Sequence, residues 1–180
     1  MALLEKWKVE ASERLRRAWI RGVVAGLDEV DEETARKVLK RCGEACARSW
    51  LDSYSYDPAS HGLDSWIKLV NELDPGVRNV KRENDTVLYE LKHGRCVCPL
   101  VSENLVDLTP KLCSACTTNF YGYIFKKAAK RPVSAELVES LATGSDKCVF
   151  RIRLQSGNLC RNVHRTEGKK GSEAQQKDVK

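Results

Sequence analysis

The sequence has no long apolar run, because charged residues make up 31% of its 180 residues and interrupt every hydrophobic stretch. A helix that crosses a bilayer needs about 20 consecutive, mostly apolar residues, so we expect no membrane segment. The first residues, MALLEKWKVEASERLRRAW, also lack the apolar core and the cleavage site of a secretion signal. We therefore predict a soluble, cytoplasmic protein whose cysteines stay reduced.

Several kinds of catalytic site are also absent from the sequence. There is no glycine loop that would cradle a phosphate, no serine-nucleophile elbow and no obvious carboxylate pair. Histidine occurs only as His61, His93 and His164. His93 is three residues before a cysteine and could act as a ligand or a base, although an exposed loop position is the simpler interpretation.

The positive charge is modest and gives little support to a nucleic-acid partner. The net charge is +6, and part of it lies in the polar segment 165–180, RTEGKKGSEAQQKDVK, which we predict to be a disordered tail. Near the amino terminus, acidic residues are interspersed among the basic ones. No nucleic-acid recognition motif accompanies them.

The spacing of apolar residues predicts a helical first half and a mixed second half. Helices are expected at 3–27, from Asp31 onward, at 63–73 and at 110–128. Strands are expected on both sides of a turn at 83–85, and at 147–155. Segment 133–141 fits either a short helix or a strand. We predict an α+β fold: an amphipathic helix in 1–30, followed by a cysteine-rich domain in 31–164.

The most distinctive feature of the sequence is its eight cysteines. Six of them form three close pairs, one within RCGEAC on a predicted helix, one within CVCP in an extended segment, and one within LCSAC near a helix start. The pairs are Cys42 with Cys46, Cys96 with Cys98, and Cys113 with Cys116. In each pair both side chains can share a face. Cys148 and Cys160 have no close partner in sequence.

Two close pairs of thiolates from separate elements suit the tetrahedral coordination of zinc. We therefore predict metal ligands at Cys96, Cys98, Cys113 and Cys116, with iron or an iron–sulfur cluster open as an alternative to zinc. The alternatives for these four residues are buried free thiols, or catalytic and redox cysteines. A helix amino terminus would favour the thiolate of Cys113. Cys42 and Cys46 continue an apolar stripe and are expected in the core.

The order of these motifs resembles the cysteine-rich ligand-binding domains related to the 4-vinyl reductase domain, and related methanogen output families. The resemblance covers about residues 38–155. Its anchors are Cys96, Cys98, Pro99, Cys113, Cys116, Gly144, Cys148 and Phe150. It implies that 133–141 is a strand paired with 147–155 in an antiparallel sheet backed by helices. It also implies a metal held by cysteines and a small-molecule ligand.

These observations lead to three hypotheses. The first is a stand-alone metal-binding sensor or small-molecule-binding domain, with a homodimer formed through the N-terminal helices. The second rests on a resemblance to hydrolases of small cyclic thio-substrates, in which Cys113 or a metal-bound water would attack and His93 would be the base. The third is a redox switch in which Cys42 and Cys46 form a reversible disulfide, which an intact helix would disfavour.

Overall fold

The fold is taken from a computed structural model, which describes the backbone of residues 2–155 and the side chains of residues 5–155. Cys160, His164 and the predicted tail at 165–180 lie outside the described residues. Within the described part, no helix is both long enough and apolar enough to cross a membrane.

Helices make up most of the first half of the chain, as the apolar spacing predicts. The first half contains α1 (Ala2–Gly26), α2 (Glu32–Tyr54), α3 (Pro58–His61) and α4 (Leu63–Leu73). The second half contains α5 (Pro99–Ser102), α6 (Pro110–Leu112) and α7 (Thr118–Ala129). Helix α2 begins at the predicted place, and Asp31 caps it, because the backbone N–H of Thr34 donates a hydrogen bond to Oδ1 of Asp31 at 2.9 Å. This side-chain hydrogen bond holds the pKa of Asp31 below its ordinary value.

The predicted helix at 110–128 is present but irregular. The hydroxyl of Thr109 accepts a hydrogen bond from the backbone N–H of Leu112, so Thr109 caps the helix. Between α6 and α7 the helix widens into a π-helical turn, Cys113–Thr117. π-Helical turns are rare and occur frequently at functional sites. Here the wide turn contains both cysteines of the LCSAC motif.

The sheet has four antiparallel strands in the order β1-β2-β4-β3. Their bounds are β1 (Val77–Glu83), β2 (Thr86–Leu91), β3 (Val133–Glu139) and β4 (Val149–Leu154). The predicted hairpin is confirmed, with Asn84 in its turn at a φ of 55°. The pairing of β3 with β4 is also confirmed, and Gly144, at a φ of 89°, lies in the connection between them. The predicted α+β class is therefore correct.

The core lies between the sheet and the helices packed on it, with α4 against β1 and α7 against β3 and β4. Its largest fully buried side chains include Trp66, Phe125 and Phe150. Complete burial of a side chain of this kind contributes about 1.5–3 kcal/mol to folding. A second cluster joins the end of α1, α2 and the LCSAC helix through Leu27, Ala35, Leu39, Leu112, Ala115 and Cys116. This second cluster fixes the position of the cysteine motifs.

The expectation that Cys42 and Cys46 lie in the core is wrong. Both residues are exposed, and Val38 of the same predicted stripe is also exposed. The buried face of α2 is instead made by Ala35, Leu39, Gly43, Ala47 and Leu51. Small residues at the middle of this face let α2 approach the neighbouring helix closely. The helix is therefore rotated relative to the most hydrophobic stripe of its sequence.

Candidate functional site

The site lies where α2 crosses the π-helical turn. A Cβ atom built on Gly43 would lie only 2.1 Å from the carbonyl oxygen of Cys116 and 3.1 Å from the backbone nitrogen of Phe120. The two backbones can approach this closely only because residue 43 has no side chain. Gly43 lies between Cys42 and Cys46, so the crossing brings the RCGEAC motif against the LCSAC motif.

The third cysteine motif reaches the same place through the sheet. The backbone N–H of Leu91 donates to the carbonyl of Cys148 at 3.0 Å, and that of Gly94 donates to the carbonyl of Asp146 at 3.2 Å. These bonds fix the segment after β2 beside the start of β4. The chain then continues to Cys98, whose carbonyl accepts the backbone N–H groups of Val101 and Ser102 at the start of α5.

The seven described cysteines, all free, form one connected group. Cys116 is close enough to other thiols for their charge to raise its pKa, and these neighbours are Cys46, Cys98, Cys42 and Cys113. Cys113 has such neighbours in Cys148, Cys96 and Cys98. These electrostatic links place the four predicted ligands in one region of the fold together with Cys42, Cys46 and Cys148, although among the described residues they are not spaced as a metal-binding group. We call this group the thiol cluster.

Ser140 lies between two members of the thiol cluster. Its side chain is fully buried, and its hydroxyl is 3.9 Å from Sγ of Cys148. Burial raises the pKa of Cys113, and the nearby Ser140 hydroxyl lowers it by a smaller amount. Ser140 is thus a polar contact shared by Cys113 and Cys148 in an otherwise apolar region.

Burial keeps several of these thiols protonated at neutral pH. Loss of solvent around the thiol raises the pKa of Cys113 to about 11 and that of Cys116 to about 12, with smaller contributions from nearby cysteines. The pKa of half-buried Cys96 is raised for the same main reason. The pKa of Cys46 is raised as well, because neighbouring groups remove part of the solvent around its thiol although the residue as a whole is exposed. The expectation of a thiolate at Cys113 is therefore wrong for the metal-free protein, because burial outweighs the helix terminus.

His93 contacts carboxylates. Its Nε2 atom is 3.0 Å from Oε1 of Glu90 and its Nδ1 atom is 3.6 Å from Oδ2 of Asp146. The hydrogen bond to His93 is the main cause that lowers the pKa of Glu90. These contacts do not support the pairing of His93 with Cys113 that the hydrolase hypothesis requires.

The redox hypothesis also lacks a suitable geometry. Helix α2 runs unbroken through Cys42 and Cys46, which are one helical turn apart. A disulfide needs Cβ atoms about 3.8 Å apart with a specific dihedral angle, which residues four apart on a helix do not provide. The helix would have to unwind before this bond could form.

The chemistry of the thiol cluster fits a thiophilic metal ion, although its present spacing does not form a coordination shell. Among the described residues, no group of three or more His, Cys, Asp or Glu is spaced to hold a metal ion. The available donors are nevertheless all thiols, the ligands that select zinc, copper(I) and iron–sulfur clusters. They come from α2, the 92–98 segment, the π-helical turn and the residue before β4.

An open groove of about 960 Å³ lies between α2, α7 and β3. Five basic side chains and one carboxylate, that of Glu44, line it. The basic residues are Lys40, Lys126, Lys127, Lys130 and Arg131. Glu44 pairs with Arg41 and Arg131 pairs with Asp85, but none of the four lysines forms an ion pair within residues 5–155. The groove is therefore positively charged.

Comparisons with known proteins match the chain to a family and to several solved structures. One of these structures is that of a trafficking protein particle complex subunit 3 from Naegleria fowleri covalently bound to palmitic acid. It is 14% identical to this chain, has a TM-score of 0.47, and the match covers 82% of this chain and 97% of that one. No curated protein matches the chain.

The comparisons contain no link to 4-vinyl reductase-like domains, so that resemblance stays a prediction. The family match covers residues 6–159, which include all the helices and strands described above except the first residues of α1. The chain belongs to DUF6144, a family of unknown function.

Proposed function

We propose that this chain is a metal-binding domain in which cysteines of the thiol cluster hold one zinc ion. The observation that carries the proposal is that α2, which bears Cys42 and Cys46, crosses the π-helical turn at Gly43, and that the charges of neighbouring cysteines raise the pKa values of Cys113 and Cys116. The first ligand set is the predicted one, Cys96, Cys98, Cys113 and Cys116. Their chemistry matches the four-thiolate sites of structural zinc, and the segments that carry them would have to move closer together to complete such a site.

Cys98 has a central position in this proposal. It is close enough to both Cys113 and Cys116 to influence their ionisation. A metal bound there would connect the 92–98 segment to the helix at 110–129. If only three cysteines bind, the fourth coordination position would be open to a ligand, which is the arrangement expected of a sensor.

Metal binding should release protons, because the ligands are thiols in the free protein and thiolates in the complex. The pKa values of about 11 for Cys113 and about 12 for Cys116 place both in the protonated form at neutral pH. Each proton released makes the apparent zinc affinity fall by about tenfold per pH unit as the pH is lowered. Zinc should therefore be retained at pH 8 and lost in mild acid.

The test is to purify the protein without oxygen and measure metals by elemental mass spectrometry. We expect about one zinc per chain, and about four thiols that react only after denaturation or chelation. If the bound metal were iron, detected also by its visible absorption, the proposed metal would change but the proposed ligands would not. Metal far below one per chain, with all eight cysteines freely reactive in the folded protein, would contradict it.

The basic groove favours a second part of the proposal, in which the domain binds a small anionic molecule. The groove is lined by Thr118, which directly follows the π-helical turn, and by Lys40 and Glu44, which lie on the side of α2 away from Cys42. A ligand here would contact the same two helices that carry the thiol cluster. The four lysines without carboxylate partners supply the attraction for a phosphate or carboxylate group.

Inorganic pyrophosphate is a suitable probe for the groove. We expect calorimetry to detect its binding, and we expect the double substitution Lys126→Glu with Lys130→Glu to weaken it by about tenfold or more. Lys81→Glu is the matched control, because Lys81 is an exposed residue of β1 that does not line the groove. This variant should leave binding unchanged. Equal weakening by the control would indicate a general charge effect and would contradict a groove site.

A further inference from the structure

Helix α1 exposes large apolar side chains on one face. Trp7 is 59% exposed, Leu15 is 71% exposed and Trp19 is 70% exposed. Single exposed hydrophobic residues are common on protein surfaces, but a contiguous apolar face of this kind marks an interaction site. We call the face formed by Trp7, Ala11, Leu15, Ala18, Trp19 and Gly22 the α1 face.

One flank of the α1 face is held by the rest of the domain. Arg17 donates a hydrogen bond to the carbonyl of Glu103 at 3.0 Å, and Arg21 donates one to the carbonyl of Asn104 at 2.8 Å. At the end of the helix, Nζ of Lys111 donates to the carbonyl of Leu27 at 2.8 Å. These contacts orient the helix, so the α1 face cannot turn inward without breaking them.

Gly22 confirms that this face is open. A Cβ atom added at Gly22 would meet no atom within 4 Å. A glycine inside a helix costs about 1 kcal/mol relative to alanine, and nothing within the described chain approaches it closely enough to require one.

We propose that the α1 face pairs with the α1 face of a second copy of this chain, with the two helices antiparallel. The exposed parts of the two tryptophans, Leu15 and their neighbours amount to about 500 Å² per copy. A symmetric pair would bury about 1,000 Å², which is at the lower end of specific interfaces. The same patch serves both copies, as twofold symmetry requires.

The charges beside the α1 face favour the antiparallel orientation. At 3.6 residues per turn, Glu5 and Arg16 lie on the free side of this face, where they also pair within α1 with Lys8 and Glu13. Glu10 and Arg14 lie on the other side, in line with the domain-bound Arg17 and Arg21. In an antiparallel pair, each side meets the same side of the partner, so an acidic residue near one end faces a basic residue nearer the other end. In a parallel pair, one side of the first helix meets the other side of the second helix, with equal residue numbers at the same level. Arg14 of one copy would then lie beside Arg16 of the other.

A membrane surface is the competing partner, because amphipathic helices with tryptophan and arginine also bind lipid interfaces. Such helices carry mainly cations on the polar side. In α1 the acidic residues Glu5, Glu10 and Glu13 are mixed with the cations, and Arg17 and Arg21 are already bonded to the domain. We therefore favour the second copy and leave the membrane as an outcome of the test.

The test is sedimentation of the full chain over a range of concentrations. We expect the wild-type protein to sediment with twice the chain mass of 20.3 kDa, and Trp19→Glu to raise the dimer dissociation constant by at least about a hundredfold. Val38→Glu, a substitution of an exposed valine on α2, should leave the dimer intact. Circular dichroism would confirm that each variant is folded.

The orientation is tested by exchanging charges. Glu5→Lys and Arg16→Glu should each weaken the dimer, and the two together should restore it. These positions are 11 residues apart in sequence, too far to pair within one helix, so restoration requires a second copy in antiparallel orientation. Failure of the double variant to recover would overturn this orientation.

A wild-type protein that stays monomeric at high concentration would overturn the dimer. If that monomer bound vesicles of phosphatidylcholine and phosphatidylserine, and Trp19→Glu abolished the binding, the α1 face would be a membrane contact. The dimer does not depend on the metal proposal. Cys98→Ser should lose zinc and keep the dimer, and Trp19→Glu should lose the dimer and keep zinc.

Discussion

Gly43→Ala is expected to lower the melting temperature by roughly 6–12 °C. The new Cβ atom would lie 2.1 Å from the carbonyl oxygen of Cys116, and a backbone atom cannot move away as the end of a flexible side chain can. The two helices would have to separate at the second hydrophobic cluster. We estimate the cost at about 3 kcal/mol, and each 1 kcal/mol corresponds to about 2–4 °C for a chain of this size.

The matched control is Gly122→Ala on α7. Its added Cβ atom would be 3.8 Å from Cβ of Ala135, an ordinary contact, and alanine is the better helix former by about 1 kcal/mol. We expect this variant to melt at the wild-type temperature or slightly above it. If Gly43→Ala melted like Gly122→Ala, α2 would not cross the π-helical turn as closely as described.

Zinc is expected to raise the melting temperature of the metal-free protein by roughly 8–16 °C when its free concentration is about a thousand times the dissociation constant. A ligand that binds only the folded state contributes about 4.1 kcal/mol at that excess, and the same conversion to temperature applies. Differential scanning calorimetry with and without chelator would measure the shift. Magnesium, which prefers oxygen ligands, should have no such effect.

Cys98→Ser should remove this zinc-dependent shift, because Cys98 lies close to both Cys113 and Cys116. Ser114→Ala is the matched control. Ser114 lies between the two cysteines of the LCSAC motif, and its hydroxyl donates only to the carbonyl of Lys111 at 3.3 Å. A full zinc shift in Cys98→Ser would exclude Cys98 as a ligand. Loss of the shift in both variants would indicate a general disturbance of the helix.

Elements with strong periodicity and clear ends could be predicted from the sequence. Helix α4 covers exactly the predicted residues 63–73, because its apolar stripe is regular and DPG ends it. The hairpin of β1 and β2 could also be predicted from the sequence, because Val87, Tyr89 and Leu91 alternate along β2. All three are buried. In these segments local preference and tertiary packing agree.

The orientation of α2 could not be predicted in the same way. A hydrophobicity pattern gives more weight to Val38, Cys42 and Cys46 than to a glycine. Packing gives the greatest weight to Gly43, because closeness of approach depends on the smallest side chain at the crossing. The motif CGEAC therefore does indicate the orientation of α2, but the residue that indicates it is Gly43 and not either cysteine.

The thiol cluster was predicted in part. Spacing identified Cys96, Cys98, Cys113 and Cys116, because each pair is local in sequence. Cys148 has no local partner, and it reaches the cluster through the backbone pairing with Leu91 and through Ser140. The π-helical turn was not foreseen either, since nothing in the spacing of LCSAC distinguishes a wide turn from an ordinary one.

The close approach at Gly43 also provides a criterion for comparing this chain with its relatives. Any protein that has this fold and a side chain at the equivalent position must hold its two helices farther apart. Its cysteines then cannot occupy the same relative positions, even if every one of them is retained. Within the family, glycine at this position should therefore separate the chains that share this thiol arrangement from those that have only the cysteine count.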